Sequence, residues 1–319
     1  MRTRDFLSAI LVIPLLIGCY SAPPRKAEPQ RVQHKDTVIR VKKKAPDPAQ
    51  AALEEIRKQY KAEFVEAVFP EPGKHAALVR ADLNGKGFPK TLKAIRTVDP
   101  QYGTGSREHA HLTVLKGMIH LQTGQFRSAS AMEPEIVKAA SLLSSPPDLN
   151  RGGLIARNFK HLVAGWSEIT KYNENLKARN AGKLFPFPST NFGKIQSAAD
   201  QISEDLRRHA KENPQLVKDP ESDLGGLHVA SIAAAFYAKC AAQKREKKEK
   251  AVLYKKGSDL MGLFLTENEK NLAVRGQQRN PSISSCHLRY LSWYGWLSKR
   301  AHEAMSPNQR RGIASQQKI

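Results

Sequence analysis

The sequence predicts an all-α fold, a helical-repeat array set behind a short apolar leader and an extended linker. In AQAALEEIRKQYKAEFVEAVF, residues 49–69, Leu53, Ile56, Tyr60, Phe64, Val65 and Val68 recur at spacings of three and four. That spacing places them on one apolar face of an amphipathic helix. No long period-two alternation rich in Val, Ile and Thr follows it, so the strand signal is missing. Hydrophobic residues make up 40% of the chain, and roughly 270 residues beyond the linker are enough to bury a core or a stacked array.

The first element is the leader. Met1 to Asp5 carries Arg2 and Arg4 with one acid, and Phe6 to Gly18 is nearly all apolar, interrupted by Ser8 and Pro14. A bilayer core needs about 20 apolar residues in a helix, so this run is short for a permanent span and suits the apolar region of a secretory signal. The run ends in Leu16, Ile17, Gly18 and Cys19. This resembles the lipobox of bacterial lipoproteins, in which a small residue precedes the cysteine that becomes the new N-terminus. The resemblance implies removal of residues 1–18, a diacylglycerol on the Cys19 thiol and a fatty acyl chain such as palmitate on its amine. Several acyl chains anchor stably where one does not. Asp5 departs from a wholly basic start, and Tyr20 stands where an aspartate would resemble an inner-membrane retention signal. The expected address is therefore the outer membrane, facing the periplasm. An ordinary signal peptide or an uncleaved anchor is the competing reading.

Residues 19–48 read as a lipidated cysteine followed by a basic, proline-rich linker. Eight lysines and arginines lie between Arg25 and Lys44, and VIRVKKK is the one apolar patch. Such a segment buries little and stays extended. Its charge can also touch anionic lipid or glycan. The cysteine count fits this address: Cys19, Cys240 and Cys286 are an odd number, and lipidation removes Cys19 from the tally. Cys240 and Cys286 are then free to form a disulfide, or Cys240, within AAAFYAKCAA, is a small buried core residue.

Residues 49–305 are expected to be the helical domain and 306–319 a flexible basic tail. In LKGMIHLQTGQFRSA, Gly117, His120, Gly124 and Ala129 resemble the first helix and turn of a tetratricopeptide repeat. That family places a small residue at the eighth position, usually an aromatic at the eleventh, a turn glycine at the fifteenth and a small residue at the twentieth. Gly117, Gly124 and Ala129 fall in register, Phe126 sits where the family often has an aromatic, and His120 replaces the usual tyrosine. Small residues let paired helices approach, and the turn needs a residue tolerant of positive φ. Upstream, FPKTLKAIRTVDP keeps the second-helix spacing in Phe88, Leu92, Ile95 and Pro100, although the join to the next repeat is longer than the family's. Downstream, Leu154 to Lys177 and Phe192 to Lys211 form a candidate pair around GKLFPFPSTN. LHVASIAAAFYAKCAA and KAVLYKKGSDLMGLFL form another, joined by the charged stretch KREKKEK. An irregular helical domain with one coincidental glycine pattern is the alternative.

The final element, SCHLRYLSWYGWLSKR, holds Tyr290, Trp293, Tyr294 and Trp296, too many rings for one core-facing stripe. Either the helix is buried on two sides, or the rings form an aromatic surface for a partner, a glycan or the membrane interface.

The formal charge is +22 with a pI near 10, which draws the protein to polyanions. Catalytic signals are weak. Glu108, His109 and His111 cluster, but His109 and His111 point to different faces of a helix, and no HExxH or CxxC spacing accompanies them, so no metal or cofactor site is expected. PESDLGG is superficially similar to the Glu-Ser of lytic transglycosylases, without the downstream motif; Glu221 also suits a helix start. No GxSxG or GxxxxGK[ST] occurs. The leading expectation is a non-enzymatic envelope lipoprotein whose helical domain docks another protein. Its rivals are a basic tether for peptidoglycan or lipopolysaccharide and, more remotely, an enzyme acting on the cell wall. Nucleic-acid binding would rest on charge alone.

Overall fold

The computed structural model describes residues 48–67, 87–182, 189–214, 225–276 and 285–305. Two compact units divide the chain at Ala45 and Pro46, and everything described belongs to the second. The leader, Cys19, the linker, Val68, Glu221 and the 306–319 tail lie outside the described residues.

Tyr60 and Phe64 show why the first amphipathic stretch is a helix. In α1 (Pro48–Ala67) both are fully buried, together with Leu53 and Ile56, on the face that the spacing predicts. The next helix, α2 (Pro89–Val98), starts at a proline, whose fixed φ suits a first turn, but Phe88 gives it no side-chain cap. The cap comes instead from α1. Glu63 accepts hydrogen bonds from Lys90 N and Thr91 N at 3.0 Å each and from Thr91 Oγ1 at 2.6 Å.

Then follow α3 (Arg107–Gln122), α4 (Phe126–Ala131) and α5 (Glu133–Leu142). The turn between α3 and α4 is made by Gly124 at φ 75°, a conformation that other residues rarely adopt. The helix after the turn is short because Pro134 lacks the N–H to continue it, so α4 gives way to α5 within two residues. A wide helical turn at Leu149–Gly153 leads into the long α6 (Leu154–Asn180), paired with α7 (Phe192–Glu212). The last helices are α8 (Gly226–Gln243), α9 (Lys247–Gly262), α10 (Glu267–Arg275) and α11 (Ser285–Ala304). No strand occurs among the described residues, so the all-α class holds.

Successive helices lie side by side: α3 on α5, α5 on α6, α6 on α7, α7 on α8, α8 on α9 and α9 on α11. Fixed charges tie the row together. Asp205 on α7 accepts from Arg157 Nε (2.9 Å) and Asn158 Nδ2 (2.8 Å) of α6 and from Arg208 Nη2 (2.7 Å). Asp200 accepts from Tyr237 Oη on α8 (2.7 Å) and Lys256 Nζ on α9 (2.8 Å), binding three helices at once. The row is not open. α1 packs on both α3 and α11, so the first and last parts of the domain share a neighbour.

The packing around Gly117 and Gly124 is not that of a simple helix pair, because the helix after the Gly124 turn is only six residues long. At Gly117 a Cβ would overlap Ile136 of α5 and stand 3.0 Å from the Phe159 ring of α6, so the small residue admits two later helices, not only the one after the turn. Ala129 is fully buried in α4, and Phe126 packs half-buried against the core. The connection KREKKEK, expected from the sequence to be longer than a standard turn, is shorter than that. Only Lys244 to Glu246 lie outside helices, because lysine and glutamate are good helix formers and α9 absorbs the remainder.

Candidate functional site

His109 and His111 separate as their spacing requires. His109 Nδ1 lies 2.8 Å from Asp99 Oδ1, and Lys116 Nζ bonds the other oxygen of the same carboxylate. Burial pushes the Asp99 carboxyl up, but the hydrogen bonds from Lys116 and His109 hold it below its ordinary value. His111 Nε2 lies 3.0 Å from Asp148 Oδ1 on the other side of α3, and Arg107 stands 3.6 Å from the second oxygen of Asp148. Burial pushes the His111 imidazole down, and the charges of Arg57 and Arg151 add to that. Neutral His111 donating from Nε2 leaves Nδ1 as an acceptor. That nitrogen is buried, with Gly152 lying against it: a Cβ there would stand 3.0 Å away. Next to this pair, Glu54 Oε1 accepts from Arg57 (3.1 Å) and Arg151 (3.3 Å), joining α1 to the 149–153 turn. The arrangement is a clamp of α1, α3 and the turn. Glu108 makes the acidic contribution to the first turn of α3. His120, the repeat's substituted position, bonds Gln125 across the Gly124 turn. No group of three or more metal-binding side chains occurs among the described residues.

A second polar cluster lies inside the domain, and sequence reasoning did not single it out. His228, at the start of α8, is 2% exposed and its Nδ1 lies 2.6 Å from Tyr290 Oη on α11. Its ring meets those of Tyr60 and Phe64 edge-on, with centroids 6.0 and 4.8 Å away. Gln122 Nε2 of α3 donates to Tyr60 Oη at 2.7 Å. Burial lowers the His228 pKa to about 3, with the Lys61 charge adding to it. One histidine thus joins the three helices α1, α8 and α11 while staying neutral.

Cys240 and Cys286 do not pair. Both are buried and neither is in a disulfide. Cys240 Sγ lies 3.5 Å from Phe192 O near the C-terminal end of α8, whereas Cys286 lies one turn before Tyr290 on α11, and Tyr290 bonds His228 at the opposite end of α8. Twelve helical residues from His228 to Cys240 correspond to about 18 Å at 1.5 Å each, beyond the reach of a disulfide. Burial pushes the Cys240 thiol up to about 12, so it remains a thiol rather than a thiolate.

The aromatic segment is largely taken up by packing. Tyr290 and Trp293 are 5% and 3% exposed, so a surface made of all four rings does not exist. Trp296 is half-buried against Tyr254 (5.6 Å) and Trp293 (5.5 Å), with Arg300 over its ring at 5.7 Å. Half-buried Tyr294 packs on Gly262.

A cluster of exposed cations lies where α8 passes into α9. Gln243 Nε2 donates to Tyr172 Oη on α6 (3.3 Å), Lys239 stands over the Tyr172 ring at 5.3 Å, and Phe192 of α7 meets the same ring at 5.5 Å. These contacts place the α6 C-terminal half, the α7 start and the α8–α9 connection at one end of the bundle. Arg245, Lys247 and Lys248 are exposed there, and among the described residues none of them has an ion-pair partner. Lys244 stands 3.7 Å from Glu249.

Compared with protein-family models, curated proteins and solved structures, the chain matches none.

Proposed function

We propose that this chain is a lipid-anchored envelope protein with a non-enzymatic role, its helical domain serving as a docking scaffold for another protein at the outer membrane. The observation that carries this reading is the apolar run broken at Gly18-Cys19 and followed at once by a basic, proline-rich stretch. His109, His111, His209, His228 and His287 each bond a partner from another element: Asp99, Asp148, Asn150, Tyr290 and Glu269. Because α1 links both ends of the row, docking falls on outer faces and not on the groove of an open array. On α5, Val137 is 60% and Leu142 40% exposed, while Ile136 and Ala139 of the same helix are buried.

The test is affinity capture of the C-terminally tagged full chain from crosslinked envelopes, with proteins and glycans both identified, repeated with Val137→Asp. The reading expects a stoichiometric protein that persists in high salt and is lost with V137D. Recovery of glycan or lipopolysaccharide alone, released by salt, would overturn docking in favour of a tether. The +22 charge and the unpaired cations at the α8–α9 end favour that second reading. A cell-wall enzyme would require turnover of purified peptidoglycan that one carboxylate change abolishes, such as Glu221→Gln.

A further inference from the structure

We propose that the α8–α9 end of the bundle is a binding surface for an anionic glycan, one bearing repeated phosphate or carboxylate groups. The stretch from Lys239 to Lys250 holds six cations against Glu246 and Glu249. Folding concentrates this charge at one end of the molecule, where Lys194 in the exposed first turn of α7 joins it.

The charges sit where stability alone would not put them. Lys247, Lys248 and Lys250 occupy the first turn of α9, with Glu249 the one acid among them, and Glu246 makes no capping hydrogen bond. A helix N-terminus favours anions and is destabilised by cations, so three lysines there oppose the helix they begin. Elsewhere in the domain exposed cations are often answered: Lys255 by Asp259, Lys270 by Glu267, Arg208 by Asp205. Arg245, Lys247 and Lys248 have no such answer among the described residues. Glu249, beside Lys244, offsets only part of this charge, and the excess of cations at the helix start points to an anionic ligand.

The chemistry of that ligand follows from what surrounds the cations. Recognition of single-stranded nucleic acid relies on open aromatic faces on which bases stack. Tyr172, the aromatic ring linking the elements of this end, is covered by Lys239 on its face and by Phe192 at its edge. What remains is an array of exposed point charges on flexible stems, which suits a polymer of repeated anions without base readout. The choice of glycan over duplex DNA rests on the envelope address proposed above and does not depend on protein docking.

The experiment measures binding of the full chain to purified lipopolysaccharide, to peptidoglycan sacculi and to duplex DNA over a range of ionic strength. It compares wild type with the triple variant R245Q/K247Q/K248Q and with a linker variant K42Q/K43Q/K44Q. A basic residue near an anionic surface contributes enough that three together correspond to about a hundredfold in affinity. The expected result is salt-sensitive glycan binding, about a hundredfold weaker in the triple variant and near wild type in the linker variant. Preference for lipopolysaccharide points to a glycan that bears phosphate, and preference for sacculi to one whose anions are carboxylates. The melting temperature of the triple variant should match or exceed wild type, because it removes cations from a helix N-terminus, so lost binding would not reflect lost fold. Undiminished binding by the triple variant, or loss confined to the linker variant, would overturn the surface. Tighter binding to DNA than to either glycan at equal salt, lost in the triple variant, would overturn the glycan assignment and the envelope address with it.

Discussion

His228 is where a single side chain does most to unify the domain, and its neutrality sets a pH dependence. The ring is held between Tyr60, Phe64 and Tyr290, and burial lowers its pKa from 6.5 to about 3. Below pH 6.5 the unfolded chain takes up a proton at this histidine that the folded chain refuses until about pH 3. Stability therefore falls as pH drops through 6.5, by about 1.4 kcal/mol per pH unit for such a group. His111 and His209 are also pushed down by burial and act in the same direction. The carboxylates held low, Asp99, Asp148 and Asp205, add the same sign only nearer their unfolded value of 3.8. Urea midpoints at pH 7, 6 and 5 should thus decline, and more shallowly for His228→Phe than for wild type. Equal slopes would show that His228 is not buried as described.

The helix pairs show what could be read beforehand and what could not. The α6–α7 and α8–α9 pairs are legible as apolar helical stretches that pack on their sequence neighbours, although α8 is buried on nearly all sides and not along one stripe. The small α10 also had a signal, Thr266 followed three residues later by Glu269, which form a reciprocal capping box, with Gly276 at φ 69° closing the helix. Glu63 capping α2 had none, since the carboxylate acts on backbone that lies 27 and 28 residues away. The same limit hid the closure by α1 and the meeting of His228 with Tyr290, both set by long-range packing. Glycine spacing pointed correctly to close approach at Gly117 but not to which helices approach. Gly117→Ala separates two effects. Helix propensity favours alanine by up to about 1 kcal/mol, and overpacking against Ile136 and Phe159 costs about 1–3 kcal/mol. Net destabilisation of about 1 kcal/mol is expected in denaturant titrations, and a net gain would mean that α5 and α6 yield easily at this point.

At the scale of the whole molecule, two features stand apart. One is the packed helical unit, its row of neighbours tied by Asp200, Asp205 and Glu63 and closed through α1, with its unpaired cations at one end. The other is the N-terminal sequence, whose basic start, short apolar run and Gly18-Cys19 junction carry the proposed lipoprotein reading. No helix among the described residues is long and apolar enough to cross a membrane, so attachment to one depends in this account on Cys19. The proposed envelope setting would favour glycan over nucleic acid as the polyanion for a chain of charge +22. The most direct test is therefore the intact mass and membrane fractionation of the mature protein, wild type beside Cys19→Ala. The account predicts a wild-type protein that lacks residues 1–18, carries the mass of a diacylglycerol and an acyl chain on Cys19, and sediments with membranes, while C19A leaves the membrane or keeps its leader unprocessed. A C19A protein of unchanged processing and lipid-free mass, still in the membrane fraction, would contradict it.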